Sequence, residues 1–354
     1  MHVIFLSKRY WPATGGVERH ILFLTEALQR QYPKLRVTII TEQHDRSLPL
    51  QETKDNREIY RIPLLPSLEQ PELKKSIWTW MRQQKSLLQS ADIIHVHDVF
   101  FWLLPSLPFV RAKKICTTFH GYEPPGPPTW RQRAWHQLAE VLSDGNICIG
   151  GFHQKWYGVE PTITSFGAVK KISQTVATPK EKTGKKKLLF VGRLEEDTGI
   201  WEYLIALWHL YELKLSPQFL LNVIGDGPLR FELEHFVQQN KLPVHFLGQQ
   251  EVTPSIYQDA DVALVSGYLS ILEALSAGVP VIATCGTQLK ADYLRFTPFA
   301  HWITTARPGN ELLVAIEKQL VQGTALPSEA IHWAEQQTWE SLAAKYMQLW
   351  SERE

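Results

Sequence analysis

The feature that most constrains the fold is a cycle of short apolar segment, loop and amphipathic helix that runs through the chain twice. The cycle begins at His2–Ser7, a buried-strand pattern that leads into a loop containing Gly15 and Gly16. From Val17 onward, apolar residues recur at helical spacing, which predicts a helix. Apolar strands that alternate with helices predict parallel βαβ units with right-handed crossovers.

The cycle is interrupted once, near the middle of the chain. Between 169 and 187 the sequence is basic and contains Pro179 and Gly184, which is typical of an interdomain linker. Further strands are predicted on both sides of it: Val37–Thr41, Glu58–Leu64, Ile93–Val96, Ile115–Phe119, Asn146–Ile149 and Thr162–Ser165 before it, and Leu188–Val191, Leu220–Ile224, Val244–Leu247, Val262–Val265 and Val281–Ala283 after it.

We therefore expect an α/β protein of two Rossmann-like, doubly wound parallel-sheet domains that face a cleft. The predicted domains are 1–170 and 188–335, joined by a linker over 171–187 and followed by a helix within 336–354. In such sheets ligands bind beyond the carboxyl ends of the strands, so the loops at those ends are the candidate sites.

Composition excludes several classes of protein. Lys and Arg total 37 against 36 Asp and Glu, so the basic excess expected of a nucleic-acid binder is missing. The three cysteines, Cys116, Cys148 and Cys285, are too few and too scattered for a disulfide framework or a zinc site. The sequence contains neither a signal-peptide pattern at its N-terminus nor a run of about 18 apolar residues. We expect a soluble cytoplasmic protein.

Two strand ends carry residues suited to an anion. Gly15 and Gly16 precede a helix whose free N–H groups favour an anion, although a simple turn with Glu18 in the first helical turn explains them equally well. Arg193 follows the strand ending at Val191 and could grip a diphosphate with its guanidinium, or pair with the acidic residues Glu195 or Glu196.

Two further strand ends carry candidate ligand groups. The turn from Ser266 into the next helix could place backbone amides against phosphate oxygens. Glu273, on the otherwise apolar run ILEAL, could bind ribose hydroxyls or lie exposed. His120 closes the strand ICTTF and could donate to a substrate hydroxyl or phosphate, or only cap the strand.

Three other polar motifs are weaker candidates. His95 and His97 share one strand face, but no clear set of further metal ligands accompanies them, so we expect no metal site. The pair Asp259 and Asp261 precedes a strand and is expected to be a helix end and a turn. Asp226, between two glycines, is likewise typical of a turn.

The chain contains eight motif-like segments in this order: GGVERH (15–20), FHG (119–121), FVGRLEEDTGI (190–200), VIGDGP (223–228), FLG (246–248), ADVALV (260–265), LEALSAGVPVIA (272–283) and TWESLAAKYMQLW (338–350). Taken together, they resemble a retaining GT-B glycosyltransferase of family 4. The resemblance covers nearly the whole chain. Its specificity lies in the ordered set, because no single motif decides it.

The resemblance implies roles for particular residues. It makes 1–170 the acceptor-side domain and 188–335 the nucleotide-sugar-binding domain, with the final helix packing back on the first. Catalytic roles are expected for His120, Arg193 and Glu273. Donor-binding roles are expected for Gly15, Gly16, Arg193, Gly225, Gly248, Gln249, Gly267, Tyr268, Leu269, Ser270 and Glu273.

The same resemblance implies the chemistry. The donor is expected to be a nucleoside-diphosphate sugar, transferred with retention of configuration and without a cofactor or an obligatory metal. Arg193 and the helix start at Leu269–Ile271 would stabilise the charge on the departing diphosphate. The acceptor is expected to be a glycan or a lipid-linked molecule, as in envelope polysaccharide assembly.

Two positions depart from the family pattern. Thr198 stands where the family usually has a lysine, five residues after the arginine. Val265 stands where the family usually has a glutamate, eight residues before the ribose-binding one; Ser266 takes that place if the turn is one residue shorter. Arg19, Lys8 or Arg9 is the expected substitute cation. The alternative is a non-catalytic relative that serves as a binding subunit of a glycan-assembly complex.

Two further interpretations concern another class of enzyme and the nature of the acceptor. A Rossmann oxidoreductase is excluded because no G-x-G-x-x-G follows any strand. The segment Lys74–Lys85 combines basic residues with Trp78, Trp80 and Met81. This pattern is typical of a peripheral contact with the inner membrane surface, or of a helix that packs its aromatic residues into the N-terminal core.

Overall fold

The computed structural model describes residues 1–13, 15–63, 70–120, 126–170, 184–215 and 217–351, apart from the side chains of Gln70 and Pro71. The described residues form two compact units. The first contains 1–120, 127–165 and 339–351, and the second contains 126 and 166–338.

The first unit is built around a sheet of eight described strands in the order β3-β4-β2-β1-β5-β6-β7-β8, all parallel except β3. Its strands are β1 (His2–Ser7), β2 (Arg36–Glu42), β3 (Gln51–Lys54), β4 (Arg57–Ile62), β5 (Ile93–His97), β6 (Lys114–Phe119), β7 (Asn146–Ile149) and β8 (Ile163–Ser165). Its helices are α1 (Gly16–Gln31), α2 (Gln70–Gln83), α3 (Lys85–Ser90), α4 (Leu107–Val110), α5 (Trp130–Val141), α6 (Phe152–Tyr157) and, at the end of the chain, α14 (Trp339–Ser351).

The second unit contains a parallel sheet of six described strands in the order β11-β10-β9-β12-β13-β14. Its strands are β9 (Lys186–Val191), β10 (Phe219–Ile224), β11 (Val244–Gly248), β12 (Val262–Leu264), β13 (Val281–Thr284) and β14 (Thr304–Ala306). Its helices are α7 (Ile200–Glu212), α8 (Arg230–Gln239), α9 (Pro254–Gln258), α10 (Tyr268–Ser276), α11 (Gln288–Arg295), α12 (Asn310–Gln322) and α13 (Ser328–Gln336).

Both sheets are therefore doubly wound, as the alternating pattern predicted. The strand order reverses at β1 in the first sheet, which lies between β2 and β5, and at β9 in the second, which lies between β10 and β12. In open α/β sheets the carboxyl end of such a switch point is where ligands bind. Gly15 and Gly16 follow β1, and Arg193 follows β9.

The predicted strands agree with the structure to within a few residues, with one correction at the linker. Residues 171–183 lie outside the described part of the chain, but β9 already begins at Lys186. The amide of Lys187 donates to the carboxylate of Asp261 at 2.8 Å, which ties the start of β9 to the start of β12. The predicted linker therefore extends too far by two residues.

Candidate functional site

The switch point of the second sheet is formed by three loops that bind one another. The amide of Gly192 donates to Ile224 O at 3.1 Å, and that of Gly225 donates to Gly248 O at 2.9 Å. Gly225 has a φ of +144°, and a Cβ there would overlap the carbonyl oxygen of Gly192. Only glycine permits so close a backbone approach, so these loops form one fixed edge.

Arg193 lies on this edge with about half of its side chain exposed. Its guanidinium contacts the carboxylate of Glu195 and donates to Asp197 Oδ2 at 2.9 Å. The sequence had left open an ion pair with Glu195 or Glu196, and the structure shows pairs with Glu195 and Asp197. A bound anion would therefore compete with, or extend, these contacts.

The first turn of α10 is attached to the same edge. The hydroxyl of Ser270 donates to Val191 O at 3.0 Å, two residues before Arg193. The ring of Tyr268 stacks on that of Tyr293 with centroids 3.8 Å apart, and the amide of Tyr268 donates to the Tyr293 hydroxyl at 3.1 Å. Since the amide of Tyr268 is engaged, the amides of Leu269 and Ser270 are the ones suited to an anion.

Gly267 precedes α10 and faces open space, because a Cβ built there meets no atom within 4 Å. Glu273 lies one turn further along the helix and is half-buried. The hydroxyl of Tyr257 donates to Glu273 Oε2 at 2.9 Å and fixes the orientation of the carboxylate. The sequence required this carboxylate to be exposed or partnered, and the structure shows a partner.

The loops after β10 and β11 complete this edge. Asp226 accepts a hydrogen bond from the amide of Gly227 at 2.8 Å and another from Arg230 at 3.2 Å, and it directly precedes a turn in which the amide of Arg230 donates to Gly227 O at 3.1 Å. Gly248 ends β11 with a φ of +68°, and Gln249 after it is exposed.

The residues that depart from the family pattern, Thr198 and Val265 or Ser266, lie close together in the second unit. The hydroxyl of Thr198 donates to Glu195 O at 2.7 Å, and that of Ser266 donates to Thr198 O at 3.0 Å. Val265 is buried. Neither Val265 nor Ser266 supplies a carboxylate, and Thr198 supplies no charge.

A cation that the sequence did not reveal lies close enough to Arg193 for the two charges to interact. Lys290, on α11, is 7% exposed, and its Nζ lies 4.6 Å from the centroid of the Tyr293 ring. Burial lowers the pKa of Lys290 to about 8, while Asp197 opposes the shift and Arg193 adds to it. The charges of Asp197 and Arg193 therefore act on Lys290, which lies on the helix that follows the carboxyl end of β13.

In the first unit, Gly15 is the N-cap of α1 and has an extended backbone. The carboxylate of Glu18 folds back against Gly15, whereas a Cβ at Gly16 would meet no atom within 4 Å. The turn interpretation, with Glu18 at the helix start, therefore describes the structure as it stands. An anion there would have to displace the Glu18 side chain.

His120 directly follows the last residue of β6 and is held from two sides. Its amide donates to Asp98 Oδ1 at 2.9 Å, and its Nε2 lies 2.8 Å from His97 Nδ1. Burial lowers the pKa of both His97 and His120 well below the usual value, so both rings are neutral. One of the two facing nitrogens must then carry the shared proton.

The surroundings of His97 Nε2, the other ring nitrogen of His97, indicate which of the two facing nitrogens carries the proton. His97 Nε2 is buried and has no hydrogen-bond partner among the described residues. A buried N–H without an acceptor is rarer than a buried lone pair without a donor. We therefore assign the proton to His97 Nδ1, which makes His120 Nε2 the acceptor. His120 then carries its own proton on Nδ1.

A hydrogen-bonded chain joins this strand face to the final helix. Trp350 Nε1 donates to His95 Nδ1 at 2.9 Å, and His95 Nε2 lies 2.7 Å from the Thr118 hydroxyl. The Tyr346 hydroxyl lies 2.8 Å from Thr118 Oγ1 and 3.0 Å from His20 Nε2. Indole N–H groups only donate, so the order of donors runs from Trp350 to His20.

These contacts account for the weaker motifs. His95 and His97 share a face with ring centroids 5.0 Å apart, and each bonds to a neighbour on β6 or just after it. In the described ranges, no group of three or more His, Cys, Asp or Glu side chains is arranged to hold a metal ion. Asp259 caps the end of α9 and binds Lys187 at 2.7 Å.

Helix α2 packs part of its apolar side into the first unit, while Trp78 and Trp80 are both partly exposed. Ile77 and Met81 are buried, and Trp78 Nε1 donates to Phe101 O at 2.8 Å. These contacts agree with the second interpretation for Ile77, Met81 and Trp78, whereas contact of this segment with a membrane stays a prediction. Across the described residues, no helix has the length and hydropathy needed to cross a bilayer.

Known proteins match both halves of the chain. The family model Glycosyltransferase Family 4 matches residues 14–156, and Glycosyl transferases group 1 matches 172–295. A curated relative is GalNAc-alpha-(1->4)-GalNAc-alpha-(1->3)-diNAcBac-PP-undecaprenol alpha-1,4-N-acetyl-D-galactosaminyltransferase of Campylobacter jejuni subsp. jejuni serotype O:2, which is 33% identical over 82 residues. That match spans 23% of this chain and 23% of the relative.

Solved structures match over nearly the full length. Sucrose-phosphate synthase from Thermosynechococcus elongatus is 19% identical, with a TM-score of 0.74 over 99% of this chain and 98% of that one. Anabaena HepE in complex with UDP and glucose is 17% identical, with a TM-score of 0.69 over 98% and 99%. At these identities the likeness shows a shared fold. With two doubly wound units and both family models matched in order, the chain belongs to the GT-B glycosyltransferases of family 4.

Proposed function

We propose that this protein transfers a sugar from a nucleoside-diphosphate sugar to a glycan or lipid-linked acceptor, with retention of configuration. The observation that carries the proposal lies within the second unit. Arg193 and the first turn of α10 meet at the carboxyl end of β9, held by the bond from Ser270 to Val191. A guanidinium and free helix amides at one point suit a diphosphate.

We further propose that Lys290 supplies the positive charge that a lysine would supply at position 198, where this chain has a threonine. Its ammonium adds a second positive charge to the edge where Arg193 is already paired with Glu195 and Asp197. A diphosphate bound there would restore favourable surroundings for a buried ammonium, which raises its pKa and favours its charged form. Glu273, oriented by Tyr257, is assigned to the ribose hydroxyls.

Bond breaking follows from these assignments. The bond between the anomeric carbon and the diphosphate oxygen breaks, the acceptor oxygen bonds to that carbon on the same face, and the acceptor proton passes to the departing diphosphate. Arg193, Lys290 and the amides of Leu269 and Ser270 would stabilise the developing charge. His120, with its proton on Nδ1, is assigned to a hydroxyl of the sugar being transferred.

For the acceptor, the undecaprenol diphosphate in the name of the curated relative motivates a lipid-linked glycan. The test incubates the purified chain with a panel of nucleotide sugars and lipid-linked or free glycan acceptors, and follows the products by mass spectrometry and proton NMR. We expect a product whose new linkage keeps the anomeric configuration of the donor. Binding without transfer to any acceptor would instead identify a non-catalytic subunit, and an inverted linkage would exclude retention.

A further inference from the structure

Helix α5 exposes its apolar side. Trp130 is 73% exposed and Val141 79%, and Trp135, Leu138 and Leu142 are also exposed. At 100° per residue these side chains occupy one continuous sector of about 140° along and just past the helix. A helix on the surface of a soluble unit normally turns such a sector toward the core.

The opposite side of α5, which faces the unit, is largely polar. The ring of His136 stacks on Phe119, with centroids 5.3 Å apart. The Glu140 carboxylate accepts the amide of Glu160 at 2.8 Å, and the Gln132 side chain forms a capping box with Thr129. The amphipathic pattern of α5 is thus inverted, since polar groups hold the helix in place and apolar groups face outward.

The charges that accompany this apolar sector are positive. Arg131 and Arg133 are both exposed, and the Arg131 guanidinium lies 5.3 Å from the centroid of the Trp130 ring. The sequence of α5 contains one acidic residue, Glu140, and its carboxylate is engaged with Glu160. Arg131 lies within the apolar sector and Arg133 at its flank. Exposed tryptophan and aliphatic side chains accompanied by arginine are typical of helices that lie in the lipid headgroup region.

A comparison within the chain supports this choice of partner. Phe231 on α8 is 80% exposed, more than either tryptophan of α5. Its neighbour Arg230, however, is already paired with Asp226 and Glu234, and the adjacent Glu232 would be repelled by an anionic surface. Exposure of an aromatic residue alone therefore does not mark a lipid contact, whereas the combination on α5 does.

We propose that the α5 face, formed by Trp130, Arg131, Arg133, Trp135, Leu138, Val141 and Leu142, docks on an anionic phospholipid surface. The helix would lie in the plane of the interface, with its apolar residues among the headgroups and its arginines on lipid phosphates. On its opposite side, α5 contacts the sheet through His136, whose ring stacks on Phe119, the residue that precedes His120. The inference deepens the proposed function by naming where a lipid-linked acceptor is approached, but it does not depend on the donor chemistry.

The test is co-sedimentation of the full chain with phosphatidylcholine vesicles, with and without phosphatidylglycerol. We expect binding that requires phosphatidylglycerol and weakens at high ionic strength. The affinity of the double variant Trp130→Ser/Trp135→Ser for these vesicles should be lower than that of the wild type by about tenfold or more. Phe231→Ser is the matched control and should bind like the wild type. Melting temperatures should stay unchanged, because all three side chains are exposed.

Three results would overturn the proposal: no binding to phosphatidylglycerol vesicles, equal binding by the tryptophan variant, or a dimer that the tryptophan variant abolishes without any vesicle binding. The last would identify the face as an interface between two copies. A nucleoside-diphosphate titration of the same samples keeps this test separate from the proposed function, because the α5 face lies in the first unit and the residues proposed to bind the diphosphate, Arg193, Lys290 and the start of α10, lie in the second.

Discussion

Thr198 and Lys290 illustrate how a charge can be relocated between elements. The turn that contains Thr198 packs against β13, since a Cβ on the next residue, Gly199, would overlap Thr284. Helix α11 follows β13 and carries Lys290 back toward Asp197 and Arg193. The missing lysine was recognisable from the resemblance to the family. Its substitute was not, because Lys290 lies far along the chain and only the strand order brings it near.

Lys290→Met tests this relocation. We expect nucleotide-sugar affinity to fall about tenfold to a hundredfold, as for loss of a charge-assisted contact. In the wild type, affinity should also fall as the pH rises through about 8, because the buried Lys290 loses its proton there. The variant should show no such fall. Titration calorimetry at pH 7 and pH 9 measures both effects, and equal affinities of the two proteins at pH 7 would remove Lys290 from the site.

His97→Leu tests the tautomer assigned to His120. In the wild type we expect the nitrogen-15 NMR shifts of His120 to report a proton on Nδ1 and none on Nε2. The leucine variant removes the donor, so the two tautomers of His120 should both become populated. His97→Asn is the control, because its amide can still donate. A wild-type spectrum with the proton on His120 Nε2 would contradict the assignment.

At the scale of elements, the sequence predicted strands well where they are buried on both faces. Parallel strands such as β1 and β13 are near-continuous apolar runs, so their positions were recognisable. It missed β3 and β14, an edge strand of sequence QETK and a three-residue edge strand, because neither is an apolar run. The inverted orientation of α5 was also missed, since its hydrophobic pattern looks like that of any amphipathic helix.

Gly225→Ala tests whether the loop edge depends on a close backbone approach. A methyl group there would overlap the Gly192 carbonyl, and the residue already has a φ of +144°. We expect the second unit to lose about 2 kcal/mol or more of its free energy of unfolding. Gly286→Ala is the control, because its Cβ would make only an ordinary contact with Pro308 at 3.6 Å. Equal melting temperatures for the two variants would contradict this account.

At the scale of the whole molecule, the end of the chain is part of the first unit. Helix α14 follows the second unit in sequence, yet Tyr346 and Trp350 are buried against residues of α1, β5 and β6. The resemblance implied that this helix packs on the N-terminal domain. Which side chains it engages could not be predicted, because the contacts join residues hundreds of positions apart.

A chain that ends at Thr338 tests the contribution of α14. Its loss would expose the buried face of β5 and leave the Trp350 and Tyr346 partners without their hydrogen bonds. We expect faster hydrogen exchange at the amides of β1, β5 and β6. Exchange in β9, β10 and β12 should not change, because those strands belong to the second unit. Unchanged protection of the first unit would show that α14 adds little to its stability.

The central claim is that a diphosphate binds at the carboxyl end of β9, where Arg193 meets the start of α10. Calorimetric titration of nucleoside diphosphates and nucleotide sugars into the wild type, Arg193→Ala and Arg36→Ala tests it most directly. Arg36 is the matched control, since it pairs with Glu58 at the amino end of β2, away from any switch point. We predict that Arg193→Ala weakens binding about tenfold or more while Arg36→Ala leaves it unchanged. Equal binding by all three proteins would contradict the account.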